Sequence, residues 1–335
     1  MKKVEKDLIK RKAKAFSEAF NGEITEDEFK ILISKCIECK VIESISESSI
    51  EKWYHDRFHP YVFEISQDIY HKAMIEALKI QFLIAGTDFG SSRQRDLGQK
   101  WSDTIRGYLG EFGVQLWFKK YWDIDIILGH EEGMLDEYLP RDIHRVKKAD
   151  KEFREPNLKV SIKSTKSNGI WLDIPGDQFY HSEIFILTKL IISTDHLFSF
   201  FKALSVFNDK ILKSGVEKGF LTKEISHQIY DNIPSFKPVY GYIAGFVENR
   251  NYNDFSYEYS LGKTNAKIYS YSGVYEGDET LQKIKSEISE KENKEVKKCE
   301  FAGIKKFSDS KRYIFGMRNL KYSQEDWEKL VVGKI

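Results

Sequence analysis

The spacing of apolar residues predicts a chain that mixes helices with short strands. Over residues 97–121, Leu97, Trp101, Ile105, Tyr108, Phe112 and Leu116 recur at three- and four-residue intervals, the period of a helix with one buried face. Residues 1–20 carry a weaker stripe of Leu8, Ala13, Phe16 and Phe20. A third stripe, Phe29, Leu32, Ile33, Cys36 and Ile37, is opened by Thr25 and Glu28 in capping-box spacing and predicts a helix to about Val41. Ser48-Ser49 starts a short helix bearing Trp53. Ile65, Ile69, Met74, Leu78, Ile80 and Phe82 predict a long helix over 63–85.

After residue 121 the period shortens towards two. Ile124–Leu128 predicts a first strand, and Leu139–Val146 a second with Asp142 at its start. In the third, over 158–166, Val160 and Ile162 alternate with Ser161 and Lys163. The alternation predicts that Ser161 and Lys163 project together away from the core. Residues 171–180 read as a loop running into a short helix. Ile184–Ile192 is apolar enough for a buried fourth strand. Beyond it come a helical region over 199–232, strands over 237–247 and 267–271, a solvated Lys/Glu-rich helix over 279–298, and a last helix capped at Ser323. The order predicts an α/β (α+β) architecture. It divides into a helical subdomain (1–90), a core (91–205) and a C-terminal α/β region (206–335) suited to DNA recognition or dimerisation.

Charge narrows this little. The 335 residues hold 53 basic and 52 acidic side chains, so a nucleic-acid partner requires a local basic patch. One candidate is the first helix, where Lys2, Lys3, Lys6, Lys10, Arg11, Lys12 and Lys14 face only Glu5 and Asp7; a solvated helix face is the simpler reading. Another is the polar loop 86–95, whose Arg93 and Arg95 suit phosphates or base edges. No apolar leader opens the sequence, and the run at 184–192 is too short to span a bilayer. With three cysteines, these features predict a cytoplasmic protein with no membrane contact. Cys36, Cys39, His55 and His59 have the outline of a zinc site. Cys-Ile-Glu-Cys lacks a knuckle glycine, however, and Cys36 fits the helical stripe, which favours ordinary core cysteines.

Gly107, Gly110 and Gly113 are costly inside a helix, about 1 kcal/mol each against alanine, and predict a closely packed neighbour. Glu111 lies among them, off the apolar stripe. Antiparallel pairing of the second and third strands would bring Asp142 and Lys163 to one end of a sheet, with Asp173 and Asp177 folding back over the same edge. Acids converging on a lysine suit Mg²⁺ and phosphodiester hydrolysis.

The helix acid, Pro140-Arg141-Asp142, and Ser161-Ile162-Lys163 on the next strand together resemble the PD-(D/E)XK nucleases, and more narrowly type II restriction endonucleases. The resemblance covers roughly residues 87–195. It implies a restriction-endonuclease-like mixed sheet flanked by helices. It also implies Mg²⁺-dependent, sequence-specific cleavage of double-stranded DNA by a homodimer. Asp142 matches the metal-binding aspartate, Lys163 the catalytic lysine, and Ile162 the position whose carbonyl contacts the metal. Arg141 loosens the first half-motif, and Ser161 stands where the family has Asp or Glu. A subgroup with Ser-x-Lys recruits an acid from the following helix, for which Asp177 is the first choice and Asp173 the second. Glu111 fits the auxiliary acid of the first core helix. The alternatives are a structure-specific repair or junction nuclease, a non-catalytic nucleic-acid-binding protein, and an acyl hydrolase using Ser161 or Ser164 with Lys163.

Overall fold

A computed structural model describes residues 3–84, 96–129, 142–148, 151–251, 255–304, 307–308 and 310–335. Arg93, Arg95, Pro140 and Arg141 therefore lie outside the described residues. So does the acidic stretch 130–138.

The N-terminal stripes fold as read. Helix α1 (Lys3–Ala19) buries Ile9, Ala13 and Phe16. Helix α2 (Glu26–Glu38) is opened by a complete Thr25/Glu28 capping box, and α3 (Glu47–Trp53) is capped by Ser46. Part of the basic arm is consumed internally, because Arg11 pairs with Glu47 at 2.9 Å and buried Lys12 pairs with both Glu47 and Glu51. Cys36 and Cys39 are fully buried in the core, while His55 is exposed beside Glu51. His59 is exposed too, so the two cysteines and the two histidines lie in different environments.

The helix expected over 63–85 starts late. Val62–Ile65 is a strand, β1, and helix α4 follows over Gln67–Ile84. Phe63 and Ile65 are buried while Glu64 is exposed, so a period of two is present over too few residues to outweigh the helical stripe after it.

Helix α5 (Leu97–Trp122) is the long central helix, capped by Asp96 and ended by Asp123 in the left-handed region (φ 49°). Strands β2 (Ile124–Leu128) and β3 (Ile143–Lys148) pair antiparallel as a separate ribbon. Strand β4 (Val160–Lys166) runs parallel to β6 (Ile184–Ile191). Strand β7 (Val239–Glu248) is antiparallel to both β6 and β1, giving a mixed sheet in the order β1-β7-β6-β4. Residues 171–175, read as loop, form β5 (Trp171–Pro175), after which α6 makes one turn over Gly176–Phe179. The helical region after β6 is broken into α7 (His196–Ala203), a π-helical turn at 207–212, α8 (Lys213–Glu217) and α9 (Lys223–Asn232).

A second mixed sheet is built around β9 (Asn265–Tyr275). It pairs with β8 (Ser256–Leu261), β10 (Lys298–Phe301) and β11 (Arg312–Gly316), and β11 in turn pairs with β5. Helix α10 (Asp278–Lys291) lies between β9 and β10 in sequence, and α11 (Gln324–Lys334) closes the chain behind a Ser323/Asp326 capping box. Among the described residues no helix is long and apolar enough to cross a membrane.

Candidate functional site

Strand β4 is at one margin of its sheet, with β6 on one side only. Its first three residues are buried and the strand surfaces at Lys163, which is half-buried. Ser161 is therefore not on an open face as expected: it is 6% exposed, because Asp142 covers it.

That contact is the centre of the site. The Asp142 N–H donates to Val160 O at 2.9 Å. The Asp142 carboxylate then reaches forward along β4, where Oδ2 accepts the Ser161 hydroxyl at 3.0 Å and also the Ile162 N–H. The expected antiparallel ladder between the second and third strands is absent, since β3 pairs with β2. One main-chain bond and one carboxylate do the joining instead. Residues on one strand edge recur with period two, so Val160 and Ile162 turn their peptide groups towards the same side. The Ile162 carbonyl thus lies on the edge that carries the Asp142 carboxylate. Among the described residues Asp142 Oδ1 makes no hydrogen bond.

Lys163 points to the neighbouring element. Its ammonium donates to Gln178 Oε1 at 2.9 Å. Gln178 belongs to α6, and two features hold that turn in place. Phe179 is buried between Tyr313 (ring centroids 3.6 Å apart, 9° between planes) and Phe185 (5.5 Å, 5°). Gly176 starts the turn with its N–H on Lys311 O at 2.9 Å, and a Cβ at Gly176 would sit 2.8 Å from that oxygen. The main chain of Asp177 is therefore one residue from the group that contacts Lys163. Gln178 is the residue that sequence reading missed. Its signal was adjacency to Asp177 in a predicted short helix, but an amide has no place in an acid-and-lysine pattern.

The other expected acids are placed differently. Asp173, on β5, forms an ion pair with Arg312 of β11 in the second sheet. Burial raises its carboxyl pKa, and Arg312 works in the opposite direction. That commitment to Arg312 removes Asp173 from the Lys163 edge. Glu111 lies on α5. This helix meets β4 at Ser164, whose Oγ is 3.3 Å from Gly107 O and 2.9 Å from Thr188 Oγ1. Side chains alternate along a strand, so at Ser164 α5 lies on the face opposite Lys163, and Glu111 is half-buried on that helix. The same contacts account for two of the three glycines. A Cβ at Gly110 would collide with Ser164 and Thr188, and one at Gly113 with the Phe63 ring, whereas Gly107 has open space.

These hydrogen bonds also bear on acyl transfer. Ser161 Oγ is held by Asp142, and Ser164 Oγ by Thr188 and Gly107, so neither hydroxyl is aimed at the Lys163 ammonium.

Among the described residues no three His, Cys, Asp or Glu side chains form a metal-holding group. The groups that share the β4 edge, the Asp142 carboxylate and the Ile162 carbonyl, both offer oxygens. They fit a hard divalent cation that keeps several waters. Comparison with family models, with curated proteins and with solved structures finds no match to this chain.

Proposed function

We propose that the chain is a Mg²⁺-dependent endonuclease acting on double-stranded DNA, with its reactive site on the open edge of β4. The observation that carries this reading is the capture of the Asp142 carboxylate by Ser161 and the Ile162 N–H, one residue from Lys163. The capture fixes one carboxylate oxygen on the strand edge to which the Ile162 carbonyl also belongs. Asp142 and Ile162 would hold the ion, with an acid from α6, Asp177, completing the set. A bound Mg²⁺ supplies Lewis-acid polarisation of a phosphodiester and neutralises charge on its oxygens. Lys163, steadied by Gln178, orients a nucleophilic water or balances charge developing on phosphorus. Ser161 is a positioning residue: with no charge of its own, it holds Asp142 on the strand. The order over α5 to β6, helix, antiparallel ribbon, strand β4, strand β5 of the second sheet, one-turn helix and a strand parallel to β4, supports the resemblance to PD-(D/E)XK enzymes, and with it the proposals of sequence-specific cutting and a homodimer.

Incubation of the purified protein with genomic and plasmid DNA, with Mg²⁺ or with EDTA, tests this reading. Discrete Mg²⁺-dependent fragments are expected, and their ends give the recognition site. Intact DNA under every condition, methylated substrates included, would overturn it.

A further inference from the structure

Away from the β4 edge, a groove of about 490 Å³ opens where α1 ends, β1 forms the opposite margin of the sheet and α5 passes behind. Phe20, Trp117 and Tyr240 form aromatic walls, and Glu23 and Glu64 stand at the rim. The Tyr240 hydroxyl donates to Glu64 Oε2 at 3.1 Å, and the Phe20 ring meets Tyr240 edge-on at 5.9 Å. Neither Glu23 nor Glu64 forms an ion pair among the described residues. Lys120 is the one basic residue among the described lining groups, and its ammonium lies 5.1 Å from the Tyr121 ring centroid. Two carboxylates against one ammonium leave the lining net negative, and burial first, then Glu64 and Glu23, push the Tyr240 phenol up to about 12. A smaller cavity of about 240 Å³ shares Glu23 and Tyr240 and is lined by charges of both signs, Glu28 and Asp195 with Lys237.

Carboxylates beside aromatic walls recognise organic cations. Ring faces attract ammonium groups by about 0.5–2 kcal/mol, and charge-assisted hydrogen bonds add direction. A metal ion is a poor occupant, because the described residues offer no cluster of three ligating side chains here and the walls are apolar. The volume is in the range of small-molecule sites.

We propose that this groove binds a small organic dication, an α,ω-diamine whose ammonium groups are held by Glu23 and Glu64 and whose alkyl chain lies against Phe20, Trp117 and Tyr240. The site is separate from the β4 edge and does not depend on the nuclease reading.

Titration calorimetry of the full chain at low salt with 1,4-diaminobutane is the test, beside 1-aminobutane, MgCl₂ and a lysine-containing peptide. Saturable binding of one diamine per chain is expected. It should weaken at least tenfold for 1-aminobutane, and by a similar factor in Glu23→Gln and in Glu64→Gln. Both glutamates are exposed, so the thermal midpoints of the two variants should match wild type, and Lys163→Ala should bind the diamine normally. Absent saturation would overturn the proposal. So would affinity unchanged by either substitution, or displacement of the diamine by equimolar Mg²⁺. Binding of the peptide tenfold or more tighter than the diamine would replace it with a peptide groove.

Discussion

Lys189, in the middle of β6, has no exposed surface. Among the described residues its ammonium donates to the Met317 sulfur alone, at 3.7 Å, and it lies 5.8 Å from the Tyr242 ring centroid. Burial lowers its pKa, and the nearby Cys36 and Cys39 oppose this weakly. A lysine whose folded value is below 10.5 is protonated more in the unfolded chain, so stability rises with pH up to about 10.5. Cys36 acts in the other direction above about 9, because burial pushes its thiol up to about 12. Lys189→Met is expected to raise the urea midpoint at pH 7 and to flatten its rise with pH towards 10.5. An unchanged pH slope would show that Lys189 does not set it. The site residues differ in kind. Asp142, Ser161 and Lys163 were legible as a short motif, but Gln178 was not, because its role depends on a hydrogen bond across two elements.

At the scale of elements, the contact of α5 with the sheet decides whether β4 is held correctly. Gly110 permits an approach that its own Cβ would block against Ser164 and Thr188. Gly110→Ala is expected to cost about 1–3 kcal/mol in denaturant unfolding, as overpacking does. Because Ser164 adjoins Lys163, the same change is expected to lower DNA cleavage. Gly107→Ala meets nothing within 4 Å and should stabilise slightly, by up to about 1 kcal/mol. Equal effects of the two changes would contradict the packing account. The sequence made α1, α2, α5, β2, β4 and β6 readable because each is long or strongly periodic. Strands β1 and β5 escaped notice for opposite reasons. The first is four residues ahead of a helix, and the second ends in Pro175-Gly176, which reads as a turn. Strands β8, β10 and β11 draw their stability from pairing with β9, which is a tertiary property and leaves little local signal.

Across the whole molecule, early and late segments close on the same sheet. Strand β1 pairs with β7, and Phe246 of β7 exchanges main-chain hydrogen bonds of 2.9 Å with Lys321, just before α11. Trp327 of α11 is fully buried between Phe246 (4.6 Å) and Trp117 (5.0 Å). Trp327→Ala is expected to destabilise the chain by about 3–5 kcal/mol. Its indole N–H is buried without a hydrogen-bond partner among the described residues, so Trp327→Phe should cost distinctly less in the same denaturation experiment.

The central claim is that Asp142 and Lys163 form one reactive edge. The nicking rate of supercoiled plasmid in Mg²⁺, measured for wild type, Asp142→Asn and Lys163→Ala, tests it most directly, with circular dichroism confirming that each variant is folded. The account predicts a loss of at least about a hundredfold for either change, on the scale of removing a group that stabilises the transition state. Wild-type rates in both folded variants would contradict it.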